Sequence, residues 1–187
     1  MPRHSLLAVA FVQLAVAGCA STTVSGLIPS PQSPVCQRET TAVILWTTQW
    51  RADQKDVADR EAAAADGLGK FFAESGCFGS VSVRRLPENS AGLVQDAVAK
   101  ARARNEKVVL VSVRELGPTV KIGTALAVVE GGTEVVLDLT EYEPSKPMPR
   151  TFSVHWRNGG PGVVKGVATL PQDMQAALAA GLQPTER

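Results

Sequence analysis

Histidine is nearly missing from this chain: of 187 residues only His4 and His155 are histidine. Paired-histidine zinc motifs are thereby excluded, and neither Cys-x-x-Cys nor His-Glu-x-x-His occurs. Aromatic residues make up 5% of the chain, with one tyrosine, so an interleaved aromatic and basic nucleic-acid surface has little to build from. Neither charge sign dominates, at 19 basic against 18 acidic residues, so there is no basic field to draw in nucleic acid or an anionic bilayer. The apolar run from Leu6 to Ala17, about twelve residues, is too short for the ~20 that span a membrane. No Gly-x-Ser-x-Gly elbow is present, and Asn158-Gly-Gly-Pro-Gly lacks the Gly-Lys-Ser/Thr ending of a phosphate loop. These gaps predict a protein that is not an enzyme and takes no metal, cofactor or nucleic acid.

What the chain does have begins at its N-terminus. Arg3, the run from Leu6 to Ala17 and a small-residue site form the three regions of a secretory signal peptide. The site reads Val16-Ala17-Gly18-Cys19, which resembles the lipobox of bacterial lipoproteins. The resemblance implies diacylglycerol on the Cys19 sulfur, cleavage between Gly18 and Cys19, and acylation of the new N-terminus. Ala20 at the next position implies outer-membrane sorting by the enteric rule. Loss of residues 1–18 would leave 169 residues, enough for one domain, with 44% hydrophobic residues in the chain to form its core.

Cys36 and Cys77 are then an even pair in an oxidising compartment, and we expect them to be bridged. Residues 20–35 are small, uncharged and proline-rich, and are expected to form a flexible tether of up to ~50 Å rather than a packed element. The expected organisation is a signal peptide over 1–18, a lipidated linker over 19–39, an α/β domain over 40–182 and a frayed tail over 183–187.

Within the domain, residues 41–48 read as a buried strand and 52–75 as a helix opened by Asp53 and Asp56. Its expected face is Val57, Glu61, Ala65, Leu68 and Phe72, with Glu61 a polar lapse. Gly67 and Gly69 are expected to let it approach the sheet closely. Residues 80–85 alternate, with Val81 and Val83 expected inward. Ser90 is a plausible N-cap for a second helix with Leu93, Val94, Ala97, Val98 and Ala101 on one face. Lys100, Arg102 and Arg104 suit its C-terminal dipole and read as a solvated turn.

Val108–Val113 is the most continuous apolar run, expected centrally in the sheet. A strand over 120–128, a turn at 130–133, strands over 135–139 and 152–156, and a turn at Asn158-Gly-Gly-Pro-Gly follow by alternation. Pro171 opens a last helix with Met174, Ala177, Leu178 and Leu182 facing inward. The expected fold is α/β, order β-α-β-α-β-β-β-β-α, a mixed sheet in a two-layer or three-layer-like arrangement. Right-handed crossovers make the first two strands parallel, which puts Cys36 and Cys77 at one end of the sheet. His155 is expected at the surface, opposite Phe152, Val154 and Trp156. Asp138, Glu141 and Glu143 are expected as solvated charges. Trp46 is expected in the core and Trp50 half-exposed at a strand-to-helix junction, a candidate partner surface.

The stretch Gly67-Leu-Gly-Lys-Phe-Phe-Ala-Glu-Ser-Gly-Cys-Phe followed by Val81-Ser-Val-Arg resembles a module of Gram-negative envelope proteins. It is the domain shared by the N-terminal part of TolB, curli-secretion lipoproteins and penicillin-binding-protein activator lipoproteins. The usual Pro-Phe after the first strand is replaced here by Leu45-Trp46-Thr47. The resemblance implies a lipid-anchored, periplasm-facing accessory at the outer membrane. Such a protein would bind or scaffold another envelope protein. The alternative it leaves open is an auxiliary lipoprotein of a lipid or small-molecule transport system.

Overall fold

The computed structural model describes residues 22–87, 90–122 and 129–183. The signal segment, the Gly18–Cys19 cleavage site, the Cys19 lipid site and residues 184–187 lie outside the described residues.

Six strands form one mixed sheet in an α/β fold, as expected, but the chain order is β-β-α-β-α-β-β-β-α, because a strand precedes the first expected one and residues 107–122 form a single strand. They are β1 (Thr22–Ile28), β2 (Gln37–Thr48), β3 (Phe78–Arg85), β4 (Lys107–Ile122), β5 (Val129–Tyr142) and β6 (Arg150–Pro161). Their spatial order is β1-β6-β5-β4-β2-β3. The helices are α1 (Val57–Glu74), α2 (Ala91–Ala103) and α3 (Leu170–Leu182). β2 pairs in parallel with both β3 and β4, whereas β4-β5-β6-β1 are antiparallel throughout. The apolar run at 108–113 therefore sits inside the sheet, where both faces need covering.

Two hydrophobic clusters show how the layers divide. On one face α1 and α3 pack side by side over Ile44, Val109, Val111, Leu137, Phe152 and Trp156. On the other, α2 sets Ala97 and Ala101 against Leu45 and Val108. The parallel half thus has three layers and the antiparallel half two. α3 buries Met174, Ala177, Leu178 and Leu182, the whole face that the 3.6-residue period indicates. α2 buries only Ala97 and Ala101 fully, half-buries Val94 and Val98, and leaves Leu93 in water.

Several expectations are corrected. Residues 22–28 are no tether: β1 pairs antiparallel with β6 from Thr22–Gly159 to Ile28–Ser153. An edge strand gains its hydrogen bonds from a partner more than a hundred residues away, which local composition does not show. The folded unit therefore begins by Thr22, not Thr40. α1 starts at Val57 because Asp56 takes a left-handed φ of 55°, which ends the helix toward its N-terminus. Its buried face is Ala63, Ala64, Gly67, Leu68, Phe71 and Phe72, rotated from the expected one. Gly67 serves helix–helix rather than helix–sheet contact: a Cβ there would lie 2.6 Å from Met174 Cβ and 2.8 Å from the Pro171 carbonyl oxygen of α3. Gly69 faces open space. Val83 is exposed because β3 is an edge strand, and Phe78 and Leu86 are buried in its place.

The hairpin is longer than its sequence suggests. β4 continues through Gly117-Pro118, and Glu130-Gly-Gly-Thr133 lies within β5 rather than in a turn. Those glycines allow close backbone contact: a Cβ on Gly132 would lie 2.7 Å from the Asn158 carbonyl oxygen. Asn158-Gly-Gly is likewise inside β6, and the chain turns after it at Gly162, where φ is +72°. The expected strand over 120–128 falls partly in residues 123–128, outside the described set.

Candidate functional site

In an open α/β sheet the crevice beyond the carboxyl ends of parallel strands is where ligands are most often held. Here a cleft of about 530 Å³ opens at that place. Thr47 and Trp50 at the end of β2, Leu110 and Ser112 of β4, and Ser90 and Val94 at the start of α2 form its walls. Ser90 precedes α2 as expected, although its side chain makes no cap hydrogen bond. Trp50 is half-buried, as its position at the strand-to-helix junction suggests.

A carboxylate holds the cleft's rim together. Glu61 Oε1 accepts from Thr48 Oγ1 at 3.2 Å and from Trp50 Nε1 at 3.4 Å, and pairs with Arg85 at 2.6 Å. The Arg85 guanidinium lies 5.2 Å from the Trp46 ring centre, a cation–π distance. The polar lapse on α1 is thus the group that ties β2, β3 and the Trp50 indole to one another. Hydrogen bonding to Arg85 lowers the Glu61 pKa below its ordinary 4.5, against the opposing effect of burial. A carboxylate with a lowered folded pKa adds stability above its unfolded value, and that stability is lost as pH falls through the folded pKa. Glu61→Gln should therefore flatten the acid limb of a stability–pH curve, with its largest cost near neutral pH. An unchanged acid limb would show that the carboxylate is not engaged as described.

Beside this group Arg60 is 8% exposed and donates to Glu115 Oε1 and to the Leu116 carbonyl, each at 2.7 Å. Gly117 makes room for it, since a Cβ there would lie 1.8 Å from an Arg60 nitrogen. α1 is thereby pinned to the point where β4 leaves the parallel part of the sheet.

The other sequence candidates fall elsewhere. Cys36 and Cys77 are joined, with Cα atoms 4.6 Å apart, at the opposite end of the sheet. His155 is exposed on the uncovered face of β6. Asp138 also lies on that face, accepting from Ser153 at 2.6 Å and from Arg114 at 2.8 Å. Glu143 is partly exposed and pairs with Lys146 at 2.8 Å, which lowers its pKa. Glu141 corrects the expectation of a solvated charge. It is 2% exposed, bonded through Oε1 to Lys107 at 2.6 Å and through Oε2 to Arg150 at 2.7 Å. Its partners lie 34 and 9 residues away, so no short sequence pattern announces them. Lys107 is equally buried and donates also to the Val35 carbonyl at 3.0 Å. Among the described residues no three His, Cys, Asp or Glu side chains converge as a metal site would require.

No family model matches the chain, and no curated protein matches it. Among solved structures the chain is similar to the PelC dodecamer from Paraburkholderia phytofirmans, at 18% identity and a TM-score of 0.44. That match covers 89% of this chain and 100% of that one. A variant of the same dodecamer matches at 17% identity and a TM-score of 0.45, over 86% and 96% of the two chains. A putative neuraminyllactose-binding hemagglutinin homolog from Helicobacter pylori matches at 16% identity and a TM-score of 0.37, over 78% and 81%.

Proposed function

We propose that this is a lipid-anchored envelope lipoprotein, facing the periplasm from the outer membrane, that works as a binding or assembly accessory rather than as a catalyst. The Val16–Cys19 lipobox supports the anchor, and the Cys36–Cys77 bridge suits an oxidising compartment. The observation that carries the binding role is Trp50, an indole fixed by Glu61 on the wall of a preformed cleft. A pre-oriented aromatic loses little freedom on binding, and such residues dominate interface energetics.

A photo-reactive residue at exposed Gln49, in cells, should give one dominant adduct with an envelope protein. Trp50→Ala should weaken that contact by roughly 2 kcal/mol or more if Trp50 is an anchor. An adduct of undiminished yield in Trp50→Ala would refute the role of the cleft. Phospholipid retained in the cleft of a secreted, unlipidated form would instead favour the transport-accessory alternative.

A further inference from the structure

Cys19 stands three residues before Thr22, the first residue of β1. Three residues reach at most ~11 Å even when fully stretched. The place where β1 enters the sheet therefore limits which end of the domain can meet a membrane that holds Cys19. Thr22 pairs with Gly159, Gly159 with Gly132, and Gly132 with Thr119. That rung lies toward the outer end of the β4–β5 hairpin, far from the disulfide.

The next rung outward carries Val120 paired with Gly131, and Gly131 paired with Gly160. A Cβ on Gly131 would come within 1.9 Å of the Val163 carbonyl oxygen, so the segment after β6 lies directly against this rung. Val120 is 66% exposed and Val164 is 92% exposed. Lys121 and Glu130 are register partners one rung further. What the short lead sequence holds near the bilayer is thus a rim that carries two exposed valines.

We infer that, in the lipidated protein, this end of the sheet lies in the lipid headgroup layer, with Val120 and Val164 in contact with it. The inference rests on Cys19 being the lipid-bearing residue proposed above. The acyl chains supply the affinity, and the short connection keeps the rim at high effective concentration beside the headgroups. The disulfide and the buried Lys107–Glu141 pair then point away from the membrane, as does Met148 in the β5–β6 connection, itself 77% exposed. The Trp50 cleft opens toward the membrane. It is set back by the seven residues from Val113, the partner of Thr48, to Val120, roughly 23 Å of strand.

The test uses full-length lipidated protein in vesicles of phosphatidylethanolamine and phosphatidylglycerol carrying a shallow doxyl-labelled lipid. An environment-sensitive fluorophore is placed on Val120→Cys, Val164→Cys or Met148→Cys. Labels at the first two positions should be quenched and blue-shifted, whereas the label at Met148→Cys should keep its emission. Quenching at Met148→Cys alone, or at no position, overturns the inference while leaving lipidation intact. Mass spectrometry of the Cys19 peptide separates the two levels, since an unmodified Cys19 refutes the anchor and this orientation together. Hydrogen exchange on the unlabelled protein is independent of the added cysteines. Vesicles should slow exchange at 117–122 and 159–164 but not at 143–149, and slowing only at 143–149, or nowhere, is again a refutation.

Discussion

Lys107→Met is expected to destabilise the domain by about 3–5 kcal/mol, the range for removing one partner of a buried ion pair. Both Lys107 and Glu141 are almost fully enclosed, and the Lys107 ammonium also satisfies the Val35 carbonyl. Removing it leaves the Glu141 carboxylate to Arg150, whose side chain is 30% exposed. The remaining pairing with Arg150 places the expected loss toward the lower end of that range. Lys107→Met combined with Glu141→Leu should recover much of it, because well-packed apolar replacements of a buried pair are often neutral or better. Urea unfolding of the two variants checks both statements. A single-variant loss below about 1 kcal/mol, the scale of an exposed pair, would contradict the burial.

Reduction of the Cys36–Cys77 bridge should have a similar effect. The bridge closes a separation of 41 residues, and the chain-entropy relation puts its stabilisation at roughly 4 kcal/mol. Unfolding curves with and without reductant, or of Cys36→Ser with Cys77→Ser, would show a lower midpoint. The slope should rise as well if the reduced unfolded chain exposes more surface. Cys36 adjoins Val35, whose N–H donates to the Leu182 carbonyl at 2.8 Å and whose own carbonyl accepts from Lys107. The bridge, the end of α3 and the buried pair therefore meet at one point. Losses from reduction and from Lys107→Met should not add, and additivity within about 0.5 kcal/mol would mean that they act independently.

The candidate site was legible in parts. Trp50 stood out because a tryptophan at the end of an apolar strand leaves the core at the strand-to-helix junction. Glu61 was visible only as an exception to the α1 pattern. Its purpose lies in Thr48 and Trp50 at the end of β2 and in Arg85 of β3, two places that only the fold brings together. Thr47, Leu110 and Ser90 become one cleft through the parallel pairing of β2 with β4 and the seating of α2 beside it. Nothing in their own neighbourhoods links them. Gly131 and Gly132 show a different difficulty, since a missing Cβ serves a tight turn and a close strand contact equally well. β4 also runs through Gly117-Pro118 on its way out of the parallel core, although proline has no N–H for the ladder, which joins the expected strands over 108–113 and 120–128 into one.

By itself the amino-acid order determined what depends on near neighbours or on simple counting. This covers the inward face of α3, the parallel β-α-β start with its apolar strand near the centre, and the pairing of Cys36 with Cys77. The tertiary structure alone decided that residues 22–28 belong to the sheet and that Lys107 and Glu141 are buried together. Each of these depends on partners distant in the chain. An edge strand or an ion pair gains its free energy from the group it meets, and that meeting exists only once the sheet has formed.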